Sequence, residues 1–204
     1  QEAQTIIELT KLVRNELDVD DILCVDVVYS WNSVEEALKV IEEIAEYNIM
    51  FVETPFSIDR IDLYSQLTAR SCIPIAAGEY TTTRWEFLHL MNEGGVSVLQ
   101  PYITTCGGLT EAARIVDIAQ QDSKLVCPGN WSTHVLGTAT LHIAAGSPIC
   151  PAYELAPTEI YGSMLRKALK ELAPPVVDGT VFVPNAPGVG FNLPGELEAY
   201  FGVN

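Results

Sequence analysis

The chain has 204 residues, 48% of them hydrophobic and 19% charged, with a net charge of −16. That composition supports a large core and excludes disorder as the default state. The acidic balance argues against nucleic-acid binding, which needs a basic footprint, and no apolar run reaches the about 18 residues needed to span a membrane.

Taken in chain order, the pattern alternates between helical and strand periods. Ile6, Ile7, Leu9, Leu12, Val13 and Leu17 recur at helical spacing over residues 3–17. Ile22 to Val28 is a continuous apolar run, as in a strand covered on both faces. Ser33 with Glu36 reads as a capping box, and Ala37, Val40, Ile41, Ile44 and Ala45 form the buried stripe of the next helix. Strands follow at 49–52, 73–77, 96–100, 124–127 and 150–155. The intervening helices fall near 60–70, at 83–93, at 109–121 after Gly107-Gly108, and at 134–146. Six strands alternating with helices predict an α/β fold with a parallel sheet. From Pro174-Pro175 onward the regularity stops, and Gly179, Pro184, Pro187, Gly188, Gly190 and Pro194 give a strand-and-turn composition. This divides the chain into a (β/α) part, 1–173, and an extension, 174–204.

The N-terminus lacks the charged-then-apolar order of a signal peptide. Five scattered cysteines (Cys24, Cys72, Cys106, Cys127 and Cys150) without a C-x-x-C pair read as reduced, buried thiols of a cytoplasmic protein rather than a zinc site.

Three acidic residues each close an apolar run: Asp26, Glu53 and Glu79, spaced 27 and 26 residues apart. That is about one strand, one helix and two loops. At the C-terminal ends of successive parallel strands, where barrels build their chemistry, they would aim three hard oxygen donors at one spot. Three convergent carboxylates stay ionised only beside a cation, and oxygen-only ligation favours Mg²⁺.

Asp26 with Trp31 and Glu35-Glu36-Ala37, Phe51-Val52-Glu53-Thr54-Pro55, Ala77-Gly78-Glu79, Thr105-Cys106-Gly107-Gly108-Leu109-Thr110-Glu111 and Pro184-Asn185-Ala186-Pro187-Gly188-Val189-Gly190 together resemble the enolase superfamily, specifically its mandelate racemase subgroup. The resemblance covers almost the whole chain. It implies a (β/α)7β barrel, represented here by about strands three to eight, without the N-terminal capping domain and with the extension packing toward that domain. It also implies Mg²⁺ on Asp26, Glu53 and Glu79, and abstraction of the proton α to a carboxylate with stabilisation of the enediolate.

His134, twenty residues before Glu154, matches the family's seventh-strand histidine by that separation. Counting from Glu79 lands on Gly129 instead, which an insertion in the loop 128–133 would explain. Tyr102 stands where the family carries the aspartate that orients the histidine. A phenol brings no negative charge, so His134 reads better as an acid than as a strong base. Glu154 resembles the family's acid that hydrogen-bonds the substrate carboxylate. His89 and His142, inside apolar helical stretches, read as structural, and Trp131, Tyr80 and Tyr102 are expected around the mouth. No lysine occurs between Lys39 and Lys124, so the family's lysine base would lie outside this chain.

The resemblance thus implies a Mg²⁺-dependent lyase or isomerase, homo-oligomeric, acting on a small-molecule carboxylate. The first expectation is dehydration of an aldonic or aldaric acid to a 2-keto-3-deoxy acid. The alternatives are a cycloisomerase opening an anhydro-sugar acid, a racemase or epimerase, and an incomplete or non-catalytic acid-binding fragment.

Overall fold

The computed structural model describes residues 3–157, 162–193 and 195. Helix α1 (Ala3–Glu16) leads into β1 (Leu23–Asp26), followed by α2 (Val34–Ile44), β2 (Ile49–Glu53), α3 (Ile61–Thr68), β3 (Ile75–Ala77), α4 (Arg84–Asn92), β4 (Val98–Leu99), α5 (Leu109–Gln121), β5 (Leu125–Val126) and α6 (His134–Ala145). The five strands form one sheet in sequence order, every pair parallel. Asp26 lies in register with Glu53, so their carboxylates leave the sheet at the same end.

The strands read as unbroken apolar runs because both faces are covered. Val52, Ile75, Ala77, Leu99 and Val126 join the core beneath the helices, together with Ile41, Ile44, Leu67, Leu90 and Ile115. Phe51, Ala76, Val98 and Cys127 form a smaller cluster on the other face, with Cys24 and Met50 against it. α1 buries Ile6 and Thr10 but leaves Leu9, Leu12 and Val13 exposed. Its apolar stripe is therefore only partly covered by the described residues.

One strand and one helix cap depart from expectation. The predicted sixth strand, 150–155, forms no ladder. It runs beside β5, and the two are tied at their flanks, by Val126 N–H to Ile149 O at 3.0 Å and Glu154 N–H to Pro128 O at 3.2 Å. Pro128 and Pro151 carry no N–H, so regular pairing is interrupted on both sides. The Ser33 cap holds only by halves. Its hydroxyl accepts from Glu36 N–H, but Glu36 turns its carboxylate to Asn32 N–H. The reciprocal capping box is instead at Thr83 and Glu86, opening α4.

After residue 157 the described chain resumes with α7 (Met164–Ala168) and an antiparallel hairpin, β6 (Val176–Val177) with β7 (Thr180–Val181). Asp178 and Gly179 turn it with positive φ at both residues, as a two-residue hairpin loop requires. Of the expected extension, Pro194 and residues 196–204 lie outside the described residues. His142 Nε2 contacts Val189 O at 3.2 Å, tying α6 to this tail. His89, expected to be structural, is an exposed residue of α4, and Cys72 is an exposed thiol rather than a buried one. No helix among the described residues is long and apolar enough to cross a membrane.

Gly78, between β3 and Glu79, has φ 129°, and a Cβ there would meet Phe87 Cε1 at 2.6 Å and Gln100 N at 3.3 Å. Gly78→Ala combines backbone strain with overpacking, and urea unfolding is expected to show a loss of about 2–4 kcal/mol.

Candidate active site

Four of the five strands deliver a polar residue to the same end of the sheet. Asp26 ends β1 and Glu53 ends β2, Gln100 follows β4 directly, and Glu79 follows β3 after Gly78. Glu154 reaches the same end from the extended segment beside β5, pinned by its N–H to Pro128 O.

These carboxylates act on one another. Burial pushes the Glu53 carboxyl up to about 8. The Gln100 amide, hydrogen-bonded to it, pulls the other way, and the charges of Asp26, Glu154 and Glu79 push it further up. Glu79 is also raised, chiefly by burial, against the pull of the Tyr29 hydroxyl and with the charges of Asp26 and Glu154 adding. Burial and like charge both disfavour ionisation.

Neutral donors orient the group. Asp26 Oδ1 accepts from Thr54 Oγ1 at 2.7 Å and from Val28 N–H at 2.8 Å. The Tyr29 hydroxyl donates to Glu79 Oε1. Glu154 accepts from the Tyr102 hydroxyl at 3.1 Å and from Trp131 Nε1. Burial and the charges of Glu154 and Glu79 hold Tyr102 far above the usual phenol range, so it stays protonated. Tyr29 is raised likewise, by burial and then by its bond to Glu79. The ion pairs made by described residues all lie elsewhere, so none of these four carboxylates is neutralised by Lys or Arg there.

The donor set suits a hard divalent cation. The ligands are oxygens, they repel one another, and Gln100 leaves Oε1 buried without a partner beside them. As they stand, the side chains are turned to their neutral partners. Among the described residues no group of three or more His, Cys, Asp or Glu side chains is gathered closely enough to hold a metal ion. The fit is one of chemistry and placement.

The structure brings Asp26, Glu53, Glu79, Glu154 and Tyr102 to one mouth. It does not bring His134 there. His134 opens α6, is 4% exposed and has Nε2 buried without a partner. Burial first, and then the charge of Arg166, hold its imidazole below the ordinary range, and no carboxylate acts on it. Gly129, the other position suggested by counting, lies at the mouth: a Cβ on Gly129 would overlap the Tyr102 ring. Of the aromatics expected there, Tyr80 and Trp131 are partly exposed.

Sequence reasoning missed Tyr29, Thr54 and Gln100. Thr54 and Gln100 each adjoin a strand end carrying the site, which is the signal that marks them. Below the mouth, a cavity of about 170 Å³ is lined by Glu53, Gln100, Glu154 and the Cys24 and Cys127 thiols. Burial pushes both thiols up to about 12, so they are neutral and not nucleophiles.

A family model described as enolase C-terminal domain-like matches residues 1–197. D-galactarolactone cycloisomerase of Agrobacterium fabrum (strain C58 / ATCC 33970) is 28% identical over 189 residues, covering 89% of this chain and 49% of its own length. Arabinonate dehydratase of Saccharolobus solfataricus (strain ATCC 35092 / DSM 1617 / JCM 11322 / P2) is 28% identical over 199 residues, covering 95% of this chain and 51% of its own. The solved structure of 3,6-anhydro-D-galactonate cycloisomerase from Zobellia galactanivorans superposes with a TM-score of 0.85 at 25% identity, covering 98% of this chain and 55% of that one. The chain spans about half the length of the curated relatives it matches.

Two predictions follow from this geometry. Gly129→Ala is expected to destabilise the protein by about 1–3 kcal/mol through overpacking, and by much less when Tyr102→Ala is made as well. A double-mutant cycle of urea midpoints checks the coupling. In metal-free protein, the folded state holds the Glu53 proton more tightly than the unfolded chain, where the value is 4.5. Stability from this group is therefore present below about 4.5 and is lost as the pH rises toward about 8. Unfolding in the presence of a chelator should show that decline in the wild type and a shallower one in Glu53→Gln.

Proposed function

The chain belongs to the enolase superfamily, and on that premise we propose that it forms part of a Mg²⁺-dependent enzyme that removes the proton α to the carboxylate of a sugar acid. The observation that supports this most is the row of mutually repelling carboxylates on successive strand ends, oriented among the described residues by neutral donors. In this reading Asp26, Glu53 and Glu79 hold the ion, and the strands are part of a (β/α)7β barrel. The extension from residue 174 packs toward a capping domain.

A bound Mg²⁺ supplies positive charge next to the substrate carboxylate, which lowers the cost of the negative charge that develops when the α-proton leaves. Glu154, in its acid form, would donate a hydrogen bond to that carboxylate, and Tyr102 and Trp131 fix its position. The base is a lysine outside this chain. In this reading Tyr102 serves Glu154 as a neutral hydrogen-bond donor and not as an acid, because burial and the charges of Glu154 and Glu79 hold its hydroxyl far above the usual phenol range. His134, which opens α6 buried beside Arg166, would have to turn toward the mouth and gain a proton to serve as an acid.

Dehydration of an aldonic or aldaric acid is the first reaction, in keeping with the relative named arabinonate dehydratase. Opening of a lactone or anhydro ring is the second, in keeping with the two relatives named cycloisomerases. A cytoplasmic setting completes the reading, in keeping with five free cysteines, and the family resemblance implies a homo-oligomer.

The test is a screen of aldonic, aldaric and anhydro-sugar acids against the full-length protein with Mg²⁺, detecting the 2-keto product. Glu53→Gln is expected to lower kcat/KM by about 100-fold or more through loss of an ion ligand. Tyr102→Phe should lower kcat, and His134→Asn should stay close to wild type. A folded wild-type protein that takes up no Mg²⁺ in calorimetry would sink the three-ligand assignment.

A further inference from the structure

The turn after β1 holds two residues in a backbone region that L-residues avoid. Val28 and Tyr29 have φ of 48° and 57°. This is costly for any side chain and most of all for a β-branched one. Val28 is 63% exposed, so its own packing offsets little of that cost.

Hydrogen bonds fix the turn from all sides. Val28 N–H donates to Asp26 Oδ1 at 2.8 Å, and Tyr29 N–H to Thr54 O at 2.7 Å. Ser30 N–H donates to Val27 O at 3.1 Å, and Trp31 N–H to Pro55 O at 3.3 Å. The chain is thereby laid across the end of β2 and delivers Tyr29 to the end of β3. There its hydroxyl donates to Glu79 Oε1, and its ring stacks on Tyr80 with centroids 6.0 Å apart and planes at 30°.

Strain of this kind persists only where the surroundings over-determine it, and it clusters at functional sites. We propose that Tyr29 is a positioning residue that aims the Glu79 carboxylate for a divalent cation, and that the Val28–Tyr29 turn is kept for that task at the expense of stability. The inference rests on the metal reading above.

Glu79 needs such a partner. It follows Gly78, and like charges at Asp26 and Glu154 press on it. Among the described residues, the Tyr29 hydroxyl is its side chain's one hydrogen-bond partner, engaging Oε1 and leaving Oε2 unpartnered. A neutral phenol can fix the carboxylate without cancelling the charge a cation needs, which is how outer partners of metal ligands work.

Calorimetric titration of Mg²⁺ into the metal-free, full-length protein tests this, with thermal midpoints measured alongside. Tyr29→Phe keeps the ring against Tyr80 and removes only the hydroxyl. It is expected to weaken Mg²⁺ binding about 10–100-fold with little change in midpoint. Val28→Gly relieves the strain and frees the turn, so the metal-free midpoint should stay or rise while Mg²⁺ affinity falls. Wild-type affinity in Tyr29→Phe would overturn the positioning role and leave the metal reading standing. A lowered midpoint in Val28→Gly would overturn the claim that the turn is kept against stability. A folded wild type that binds no Mg²⁺ would overturn both this inference and the metal reading.

Discussion

Like charge gathered at one end of a parallel sheet is the constraint around which the rest of this protein is arranged. Parallel strands in sequence order send every C-terminal end the same way, so a carboxylate closing one strand meets the carboxylate closing the next. Asp26 and Glu53 are in register across β1 and β2, and the charges of Asp26, Glu79 and Glu154 all act on Glu53. A protein selected only for stability would scatter those charges or set a lysine among them. Here each carboxylate is instead met by a neutral donor from elsewhere along the same end of the sheet: Thr54 for Asp26, Gln100 for Glu53, Tyr29 for Glu79, Tyr102 and Trp131 for Glu154. Neutral donors orient a carboxylate without discharging it.

The alternation of strand and helix was legible because strands buried on both faces have no polar positions to disguise them, as Ile49–Val52 and Ile73–Ala77 show. Boundaries were less legible. β1 stops at Asp26 and not at Val28, because Val28 and Tyr29 turn left-handed, and nothing in an apolar run announces that. The segment 150–155 reads as a strand by composition, yet Pro128 and Pro151 deny it the donors for a ladder. Within the mouth, residues that close a strand could be found by spacing alone. Tyr29 could not: its contact with Glu79 spans fifty positions and exists only through the turn. Nor could spacing choose between Gly129 and His134. That choice depends on where the chain goes after Pro128, and the close approach of Gly129 to the Tyr102 ring shows that it passes the mouth before His134 is reached.

Positive charge is placed as deliberately as negative charge. Arg166, 1% exposed, sits in α7 and donates to Ser132 O and Ala156 O. Those carbonyls belong to the two segments that carry Trp131 and Glu154, so the guanidinium clamps them together through their backbone. Its field falls on His134, favouring the neutral imidazole. A histidine kept neutral by a buried arginine is a poor reservoir of protons, and a phenol surrounded by carboxylates gives its proton up only at great cost. The electrostatics thus separate two regions that lie close in sequence. Behind the loop 128–133 a cation organises backbone, and in front of it, among the described residues, anions stand without a counter-charge. A Lys or Arg brought into the front region would discharge the carboxylates and stabilise the free protein, and it would remove the field that makes the site attractive to a divalent cation. The cost of leaving those anions uncompensated is the physical reason to expect one there.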